Sequence, residues 1–135
     1  MTEPTFLTTA QVVEIHDGLI ELHGGSFGLR DAGALESAVA TPMVTFGGEY
    51  LHSSIPAMAA AYLFHIAQNH AFIDGNKRSG AKTSIIFLRV NGWELTCSED
   101  RLFDATLAVA NGVLGKRELT AFFEQSSRLS DSTKP

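Results

Sequence analysis

The N-terminal part of the chain carries apolar side chains at helical spacing. Four of them follow one another at i, i+3, i+7 and i+10, namely Val12, Ile15, Leu19 and Leu22. This period predicts an amphipathic helix whose apolar stripe faces a core. Thr8 and Gln11 have the spacing of a capping box, so we expect the helix to begin at Thr8 or Thr9 and to end at Gly24.

A second helix is predicted to begin after Asp31, a residue type that caps helix N-termini, and to end before Pro42. Its inward residues are expected to be Leu35, Ala38 and Val39. Residues 41–53 contain Gly47, Gly48 and several aromatic or histidine side chains. This composition predicts a loop or a short hairpin, which is a candidate flap.

Two longer helices form the predicted centre of the chain. Ser54 followed by Pro56 predicts a helix over residues 55–69, rich in small alanines that let other helices approach closely. The next helix follows the polar segment 70–78 and ends near residue 91. Its apolar side chains point in nearly every direction: Ile85, Ile86, Phe87, Leu88 and Val90. Because a helix that is apolar all round is buried, we expect this one to be the central helix.

The remainder of the chain predicts two more helices and little strand. Ser98, with two acidic residues after it, is expected to cap a helix that runs to about Asn111, and residues 116–125 predict the last helix. Residues 94–96 have the pattern of a brief extended segment. From Ser126 onward Ser, Asp, Thr, Lys and Pro dominate, so the segment 126–135 is expected to be a loosely ordered tail.

The length of 135 residues suits one domain. The predicted elements make the chain all-α, a compact bundle of about six helices over residues 1–125. With 15 acidic against 10 basic residues the net charge is −5, which argues against a protein that holds many nucleic-acid phosphates. A single cysteine, Cys97, and a start without a signal sequence predict a reduced, cytoplasmic setting. No apolar run approaches the roughly 18 residues that would span a bilayer.

Positive charge is concentrated at one place. Up to Asn76 the only Lys or Arg is Arg30, whereas four basic residues follow within thirteen positions: Lys77, Arg78, Lys82 and Arg89. They begin in the run HAFIDGNKR at residues 70–78, which joins one predicted helix to the N-terminus of the buried one. A helix N-terminus presents unpaired N–H groups and a partial positive charge, so this segment predicts a phosphate-binding cradle.

The residue types in this run suit phosphoryl or nucleotidyl transfer. His70 can act as a general base, because an imidazole accepts a proton at neutral pH. Asp74 supplies a hard carboxylate of the kind that holds Mg²⁺ against phosphate oxygens. The predicted cradle consists of Gly75, Asn76, Lys77 and Arg78. Phe72 and Ile73 are expected in the core, where they would hold the loop on the bundle.

A zinc hydrolase is an alternative, since its possible ligands are present as His52, His65, His70 and Asp74. His65 and His70 are five residues apart, which turns them by about 140° from one another on a helix, so they do not share a face. We therefore expect His52 and His65 to be structural or flap residues, and we expect no zinc.

The run at residues 70–78 resembles the signature of the Fic/Doc family, and specifically of its death-on-curing (Doc) branch. All nine residues agree in type and order. The similarity extends over roughly residues 10 to 95, in the segments His16-Asp17, Gly28–Asp31, Leu35–Ala38, Phe46–Gly48 and Phe87–Gly92. The resemblance implies the Fido fold, a six-helix bundle, which agrees with the number of helices predicted from the apolar pattern.

The sequence departs from the wider Fic family in its motif. That motif reads His-Pro-Phe, two residues, Gly-Asn-Gly-Arg, two residues, then Arg, and it transfers AMP from ATP to a hydroxyl. Here Ala71 replaces the proline, Lys77 stands at the second motif glycine and Ala81 at the second arginine. The resemblance implies that such an arginine grips the terminal phosphates of ATP. Because Doc-type proteins carry the lysine and act as kinases, the resemblance implies transfer of the γ-phosphoryl group.

The resemblance also implies roles for the residues of the run and for partners. His70 would be the base on a Ser or Thr hydroxyl, Asp74 the Mg²⁺ ligand, and residues 75–78 would hold the phosphates of ATP, with Arg78 acting in catalysis. The implied target is a translation protein such as elongation factor Tu, and the implied partner is an antitoxin of the Phd type. Two alternatives stay open: AMP transfer to a protein hydroxyl, and a catalytically silent binding module of the same fold.

Overall fold

A computed structural model describes residues 3–131, which fold into six α-helices and two small sheets. The helices are α1 (Thr9–His23), α2 (Ala32–Ala40), α3 (Ile55–Asn69), α4 (Asn76–Val90), α5 (Glu99–Ala110) and α6 (Lys116–Gln125). The strands are β1 (Thr45–Phe46), β2 (Glu49–Tyr50), β3 (Trp93–Leu95) and β4 (Ser127–Leu129), and a short 3-10 turn at Thr41–Met43 follows α2. The predicted helical class and the six helices are confirmed. Within this range no helix combines the length and the apolar character needed to cross a membrane.

Side-chain caps fix the starts of four helices, as the sequence predicts. Thr8 Oγ1 accepts a hydrogen bond from the Gln11 N–H at 3.1 Å, and the Gln11 side chain accepts one from the Thr8 N–H at 2.8 Å. The three other caps are Asp31 before α2, Ser54 before α3 and Ser98 before α5. Each cap satisfies an N–H group that has no partner inside its helix, so the boundaries follow from local chemistry.

The most enclosed helix is α3 rather than α4. Ten of the fifteen residues of α3 are buried, and the helix packs against α2, α4, α5 and α6. In α4 eight of fifteen residues are buried, and Val90 at its end is exposed. The prediction of α4 as the single central helix is therefore wrong. Alanines such as Ala60 and Ala67 are fully buried, and their small size lets helices approach α3 from several sides.

The predicted apolar stripe of α1 points in the wrong direction. The buried residues of α1 are Val12, His16 and Ile20, spaced i, i+4 and i+8. Ile15 and Leu19 are only half-buried, and Leu22 is 75% exposed. The inward face includes His16 because its ring has hydrogen-bond partners inside the protein, and a pattern that counts only apolar residues does not find such a position.

Two antiparallel strand pairs accompany the helices. β1 and β2 form the hairpin predicted within residues 41–53, with Thr45 opposite Tyr50. β3 pairs with β4, with Trp93 opposite Leu129. The expected loosely ordered tail is thus corrected at residues 127–129, where the chain pairs with the free edge that β3 offers. Residues 132–135, the end of that expected tail, lie outside the described residues.

Gly80 sets how closely α3 and α4 approach. A β-carbon at this position would lie 3.0 Å from the Leu63 carbonyl oxygen and 3.5 Å from the Ala67 nitrogen. These are backbone atoms, which cannot swing away as a side chain would. A residue without a side chain therefore allows the two helices to meet at their observed distance.

We predict that Gly80→Ala lowers the free energy of unfolding by about 1–3 kcal/mol, because the added methyl group forces the two helices apart. Gly18→Ala in α1 is the matched control, since a β-carbon there meets nothing within 4 Å. That control should raise the free energy of unfolding by up to about 1 kcal/mol through helix propensity. Urea unfolding of both variants measures the difference, and an equal gain in both would contradict the prediction.

Three basic side chains lie together where the start of α6 packs on α3. Lys116 Nζ donates a hydrogen bond to His65 Nε2 at 2.9 Å. Burial, followed by the nearby charges of Lys116 and His52, lowers the pKa of His65 to about 4 from its ordinary value of 6.5. Burial and Lys116 also lower the pKa of His52. His65 is therefore neutral in the folded protein at pH values where the unfolded chain protonates it.

We predict that this arrangement makes the protein lose stability as the pH falls from about 6.5 to about 4. In this window the unfolded chain binds a proton at His65 that the folded chain does not bind, so acid favours unfolding. The loss from this residue is about 1–2 kcal/mol after allowance for its partial exposure.

His65→Gln is the control, because glutamine keeps an acceptor for Lys116 and does not titrate. Its free energy of unfolding should fall less than that of the parent across the same pH window. Denaturant unfolding at several pH values compares the two proteins, and parallel pH profiles would show that His65 is not responsible.

Candidate active site

The predicted site lies on the short connection between α3 and α4. His70 ends α3 as its C-cap and is exposed to solvent. Its backbone has φ 51° and ψ 44°, the left-handed region, and it is the one non-glycine residue with positive φ among residues 3–131. Such a conformation is unfavourable for a residue with a side chain, and strained residues of this kind concentrate at functional sites.

One cleft of about 240 Å³ collects the residues predicted to carry chemistry. Its lining contains His70, Asp74, Gly75, Asn76, Lys77 and Arg78, together with Ile73, Phe103 and Ala110. His52 and His65 do not line it. The fold thus brings the sequence-predicted site residues to one surface, and it leaves the other two candidate zinc ligands elsewhere.

The start of α4 faces this cleft without a side-chain cap. Gly75 is the N-cap in the left-handed conformation, with φ 79°, and the first bond of the helix runs from the Ser79 N–H to the Gly75 carbonyl oxygen. The N–H groups of residues 76–78 therefore have no acceptor within the helix. Together with the helix dipole they form a site that favours an anion.

Two cations border this helix start. Lys77 and Arg78 are exposed, and in the described part of the chain neither forms an ion pair. The Arg78 guanidinium lies 5.6 Å from the centre of the Phe103 ring, which packs against it from α5. Their positive charge is not neutralised by a carboxylate and remains available to a bound anion.

Asn76 holds the loop with both polar ends of its side chain. Its Oδ1 accepts from the Phe72 N–H and its Nδ2 donates to the Phe72 carbonyl oxygen, each at 3.0 Å. The side chain is thus engaged with the protein itself, so the predicted contact of Asn76 with phosphate is left to its backbone N–H. Of the two roles that the residue type allows, holding the loop is the one that these contacts support.

The Asp74 carboxylate is fixed by backbone N–H groups on two sides. Gly75 donates to its Oδ1 at 3.0 Å, and Ser26 donates to its Oδ2 at 3.3 Å. The hydrogen bond to Oδ1 uses the Gly75 N–H, which was predicted to bind phosphate. Asp74 nevertheless lines the cleft and is exposed, so its oxygens retain lone pairs for a cation.

The ligand set fits magnesium held jointly with phosphate. Among residues 3–131 no three His, Cys, Asp or Glu side chains lie close enough together to bind a metal by themselves. Mg²⁺ commonly binds through one or two carboxylates and takes its other ligands from phosphates and water. A single carboxylate beside an anion-binding helix start suits that mode of binding.

The connection between α1 and α2, residues 24–31, crosses over the site loop, which the sequence did not predict. The N–H groups of Arg30 and Asp31 both donate to the Ala71 carbonyl oxygen, at 2.7 and 3.0 Å. The Ile73 N–H donates to the Gly28 carbonyl oxygen at 3.1 Å. The three glycines of this connection were the available signal, because they mark a backbone that approaches another closely.

Ile73 is not a core residue, contrary to the prediction. Its side chain is 58% exposed and lines the cleft, whereas Phe72 is buried as expected. Adjacent residues of an extended loop point to opposite sides, so only one of the two apolar neighbours can face inward. The residue types alone did not predict a functional role for His16, which lies directly beneath this loop.

Comparison with known proteins identifies the family. The sequence profile of the Fic/DOC family matches residues 6–88, more than half of the chain, and the chain belongs to that family. Within it the chain is similar to Doc toxins. It is 40% identical over 77 residues to "Toxin Doc" of Mycolicibacterium smegmatis, covering 57% of this chain and 59% of that protein. It is 29% identical over 106 residues to "Protein kinase doc" of Escherichia phage P1, covering 78% of this chain and 82% of that protein.

These matches confirm the resemblance to the Doc branch that the motif indicates. The alignment with the Mycolicibacterium relative spans less than two thirds of that protein's length. Both the family match and the longer alignment extend well beyond the nine-residue run, so the similarity does not rest on the motif alone.

Gly25 keeps space for the Asp74 carboxylate. A β-carbon at Gly25 would lie 2.7 Å from Asp74 Oδ2, whereas one at Gly24 would meet nothing within 4 Å. The φ angles of Gly25 and Gly24 are 119° and 85°. An alanine is therefore strained at either position, and only at Gly25 does it also displace the carboxylate.

We predict that Gly25→Ala weakens the binding of ATP with Mg²⁺ about tenfold, since Asp74 is the predicted Mg²⁺ ligand and outer contacts that orient a metal ligand typically have effects of this size. Gly24→Ala should bind like the parent, although both variants lose about 1 kcal/mol of stability from backbone strain. Calorimetric titration with Mg²⁺ and ATP provides the measurement. Equal affinities in the two variants would refute the role given to Gly25.

Proposed function

We propose that this protein is a Doc-like toxin that transfers the γ-phosphoryl group of ATP to a Ser or Thr hydroxyl of a target protein. One observation carries the proposal: a single cleft combines the exposed His70, the uncapped start of α4 and two cations without ion partners among the described residues. The relatives named as a Doc toxin and as a protein kinase support it.

The phosphate chain of ATP would bind at the start of α4. The N–H groups of residues 76–78 would donate to phosphate oxygens, and the Lys77 and Arg78 side chains would supply full positive charges. Asp74 would hold Mg²⁺, which neutralises negative charge on the phosphates when it is bound. Arg78 would also stabilise the charge that develops during transfer, because its guanidinium is held over Phe103 at the cleft wall.

His70 would act as the general base on the incoming alcohol. The hydroxyl oxygen forms a bond to the γ-phosphorus while the bond from that phosphorus to the bridging oxygen of ADP breaks. The hydroxyl proton passes to the His70 imidazole, and ADP leaves with the bonding electron pair. The exposure of His70 at the end of α3 supports this role, since a protein hydroxyl can reach its ring from solvent.

Transfer of AMP is the second candidate function. Two residues favour the kinase over it: Lys77 replaces a motif glycine, and Ala81 stands where a second arginine would grip the terminal phosphates. Ala81 is buried and lines a neighbouring groove of about 310 Å³, which shares Arg78 and Phe103 with the first cleft. The protein therefore lacks the side chain that the other nucleotide orientation would use.

The proposed target is a translation protein such as elongation factor Tu, and the proposed partner is an antitoxin of the Phd type, both in the cytoplasm. The neighbouring groove between α1, α4 and α5 is a candidate place for the antitoxin. Apolar side chains such as Leu19 and Ile85 alternate there with charged ones such as Lys82 and Glu99. An amphipathic segment could bury apolar residues against such a lining while it pairs its charges.

Labelled nucleotides test the proposed reaction. We expect purified protein with Mg²⁺ to transfer label from γ-labelled ATP to elongation factor Tu, and to transfer none from α-labelled ATP. Label from the α-position would establish nucleotidyl transfer instead. If neither nucleotide labels this factor or any protein of a cell lysate, the enzyme proposal is rejected in favour of a binding module.

In the same assay we predict that His70→Gly loses transfer about 10²–10⁴-fold, the usual effect of removing a general base. Glycine suits the left-handed backbone at this position, so the free energy of unfolding should stay within about 1 kcal/mol of the parent. Thermal unfolding provides the control. A variant that still transfers label at the parent rate would exclude His70 as the base.

A further inference from the structure

His16 of α1 lies directly beneath the site loop. Its side chain is 1% exposed, and it is one of the three residues that α1 buries. The proposed chemistry gives it no task, and the ring is shut off from both substrates. A buried polar side chain in this position requires a reason other than hydrophobic packing.

Two contacts join the His16 ring to the loop. Its Nε2 lies 2.7 Å from the carbonyl oxygen of Asp74, and since a carbonyl only accepts, the histidine donates this bond. The ring stacks on Phe72 with centres 3.8 Å apart and planes 3° from parallel. A β-carbon at Gly75 would lie 3.5 Å from the ring, so the ring borders the space that a side chain at this turn would occupy.

The Asp17 carboxylate lies on the opposite side of the ring. Asp17 Oδ1 lies 3.1 Å from the ring Nδ1. Rotation of the ring about its bond to the β-carbon would break both the hydrogen bond to the Asp74 carbonyl oxygen and the stack on Phe72, so these two contacts fix the ring. A fixed ring in turn fixes the plane of the peptide that joins Asp74 to Gly75, the N-cap of α4.

We infer that His16 is a positioning residue for the transfer site. By donating to the Asp74 carbonyl oxygen, it sets the orientation of the Asp74 carboxylate and of the N–H groups at the start of α4. This role rests on the proposed function of the site, and it concerns geometry alone. His16 touches neither the nucleotide nor the protein hydroxyl.

Two substitutions separate the hydrogen bond from the stacking contact. His16→Gln places an amide nitrogen three bonds from the β-carbon, as in histidine, and so retains the donor but loses the ring. His16→Phe retains a ring that can stack on Phe72 and loses the donor. We expect Phe to be the more stable of the two variants, because it buries an apolar ring, and Gln to be the more active.

In the transfer assay we expect His16→Phe to lower kcat about 10–100-fold, the usual effect of removing a contact that orients a ligand of the site. The KM for ATP should rise as well, by up to about tenfold, because the Asp74 carboxylate and the N–H groups that His16 orients also bind the phosphates and Mg²⁺ in the proposed function. His16→Gln should retain most of the parent kcat. If His16 were merely structural, the loss of activity in each variant would follow its loss of thermal stability, and His16→Gln would be the less active of the two.

Hydrogen exchange supplies a readout that does not need catalysis. The N–H groups of Phe72, Ile73 and Gly75 are hydrogen-bonded within the loop or to its neighbours. They should exchange faster in His16→Phe, and at about the parent rate in His16→Gln. If the parent transfers no phosphoryl group, the proposed function fails while this comparison still tests the positioning role. Unchanged exchange and activity in His16→Phe would overturn the inference.

Discussion

The site depends on the close packing of α3 against α4. At Gly80 the two backbones meet so closely that a β-carbon would lie 3.0 Å from the Leu63 carbonyl oxygen. Because the helices meet at this distance, residues 70–75 are enough to join the end of one to the start of the other. A connection this short cannot cover the first turn of α4 with its own chain. The N–H groups at that turn therefore stay open to the cleft, and His70 is left beside them at the end of α3.

The helix start stays open in this acidic protein because the Asp74 carboxylate of the same loop does not pair with the neighbouring cations. The chain has a net charge of −5, yet the Asp74 carboxylate accepts from the Gly75 and Ser26 N–H groups and forms no ion pair with Lys77 or Arg78. These two bonds hold the acid beside the cradle without neutralising it. Water screens the exposed cations when no anion is bound, so their mutual repulsion costs little in the resting protein.

The sequence predicted those features that depend on local chemistry. Caps such as Thr8 and Asp31 place helix starts, and the run at residues 70–78 locates the site, because each feature is written in adjacent residues. The misses depend on contacts between distant segments. His16 faces inward because a carbonyl 58 residues away accepts a hydrogen bond from its ring, and β4 exists because β3 offers an edge. Ile73 is exposed since the loop turns it away from Phe72, which apolar character alone does not reveal.

The motif combines residues that build the loop with residues that are free to act. Asn76 and Phe72 bind each other, and Gly75 supplies the left-handed turn, so these residues would be needed even in a protein without activity.

His70 and Lys77 differ, since in the described chain their side chains make no hydrogen bond or ion pair, and both are exposed on the cleft. No contact among the described residues explains why His70 adopts the left-handed conformation. None explains why the unpaired Lys77 ammonium group lies at a helix start that already carries partial positive charge. The left-handed backbone at His70 is unfavourable in itself, and the proposed phosphate chain and alcohol would give both side chains partners that the described residues do not give them. These two residues, more than the match of the whole run, support the proposed transferase over a binding module of the same fold.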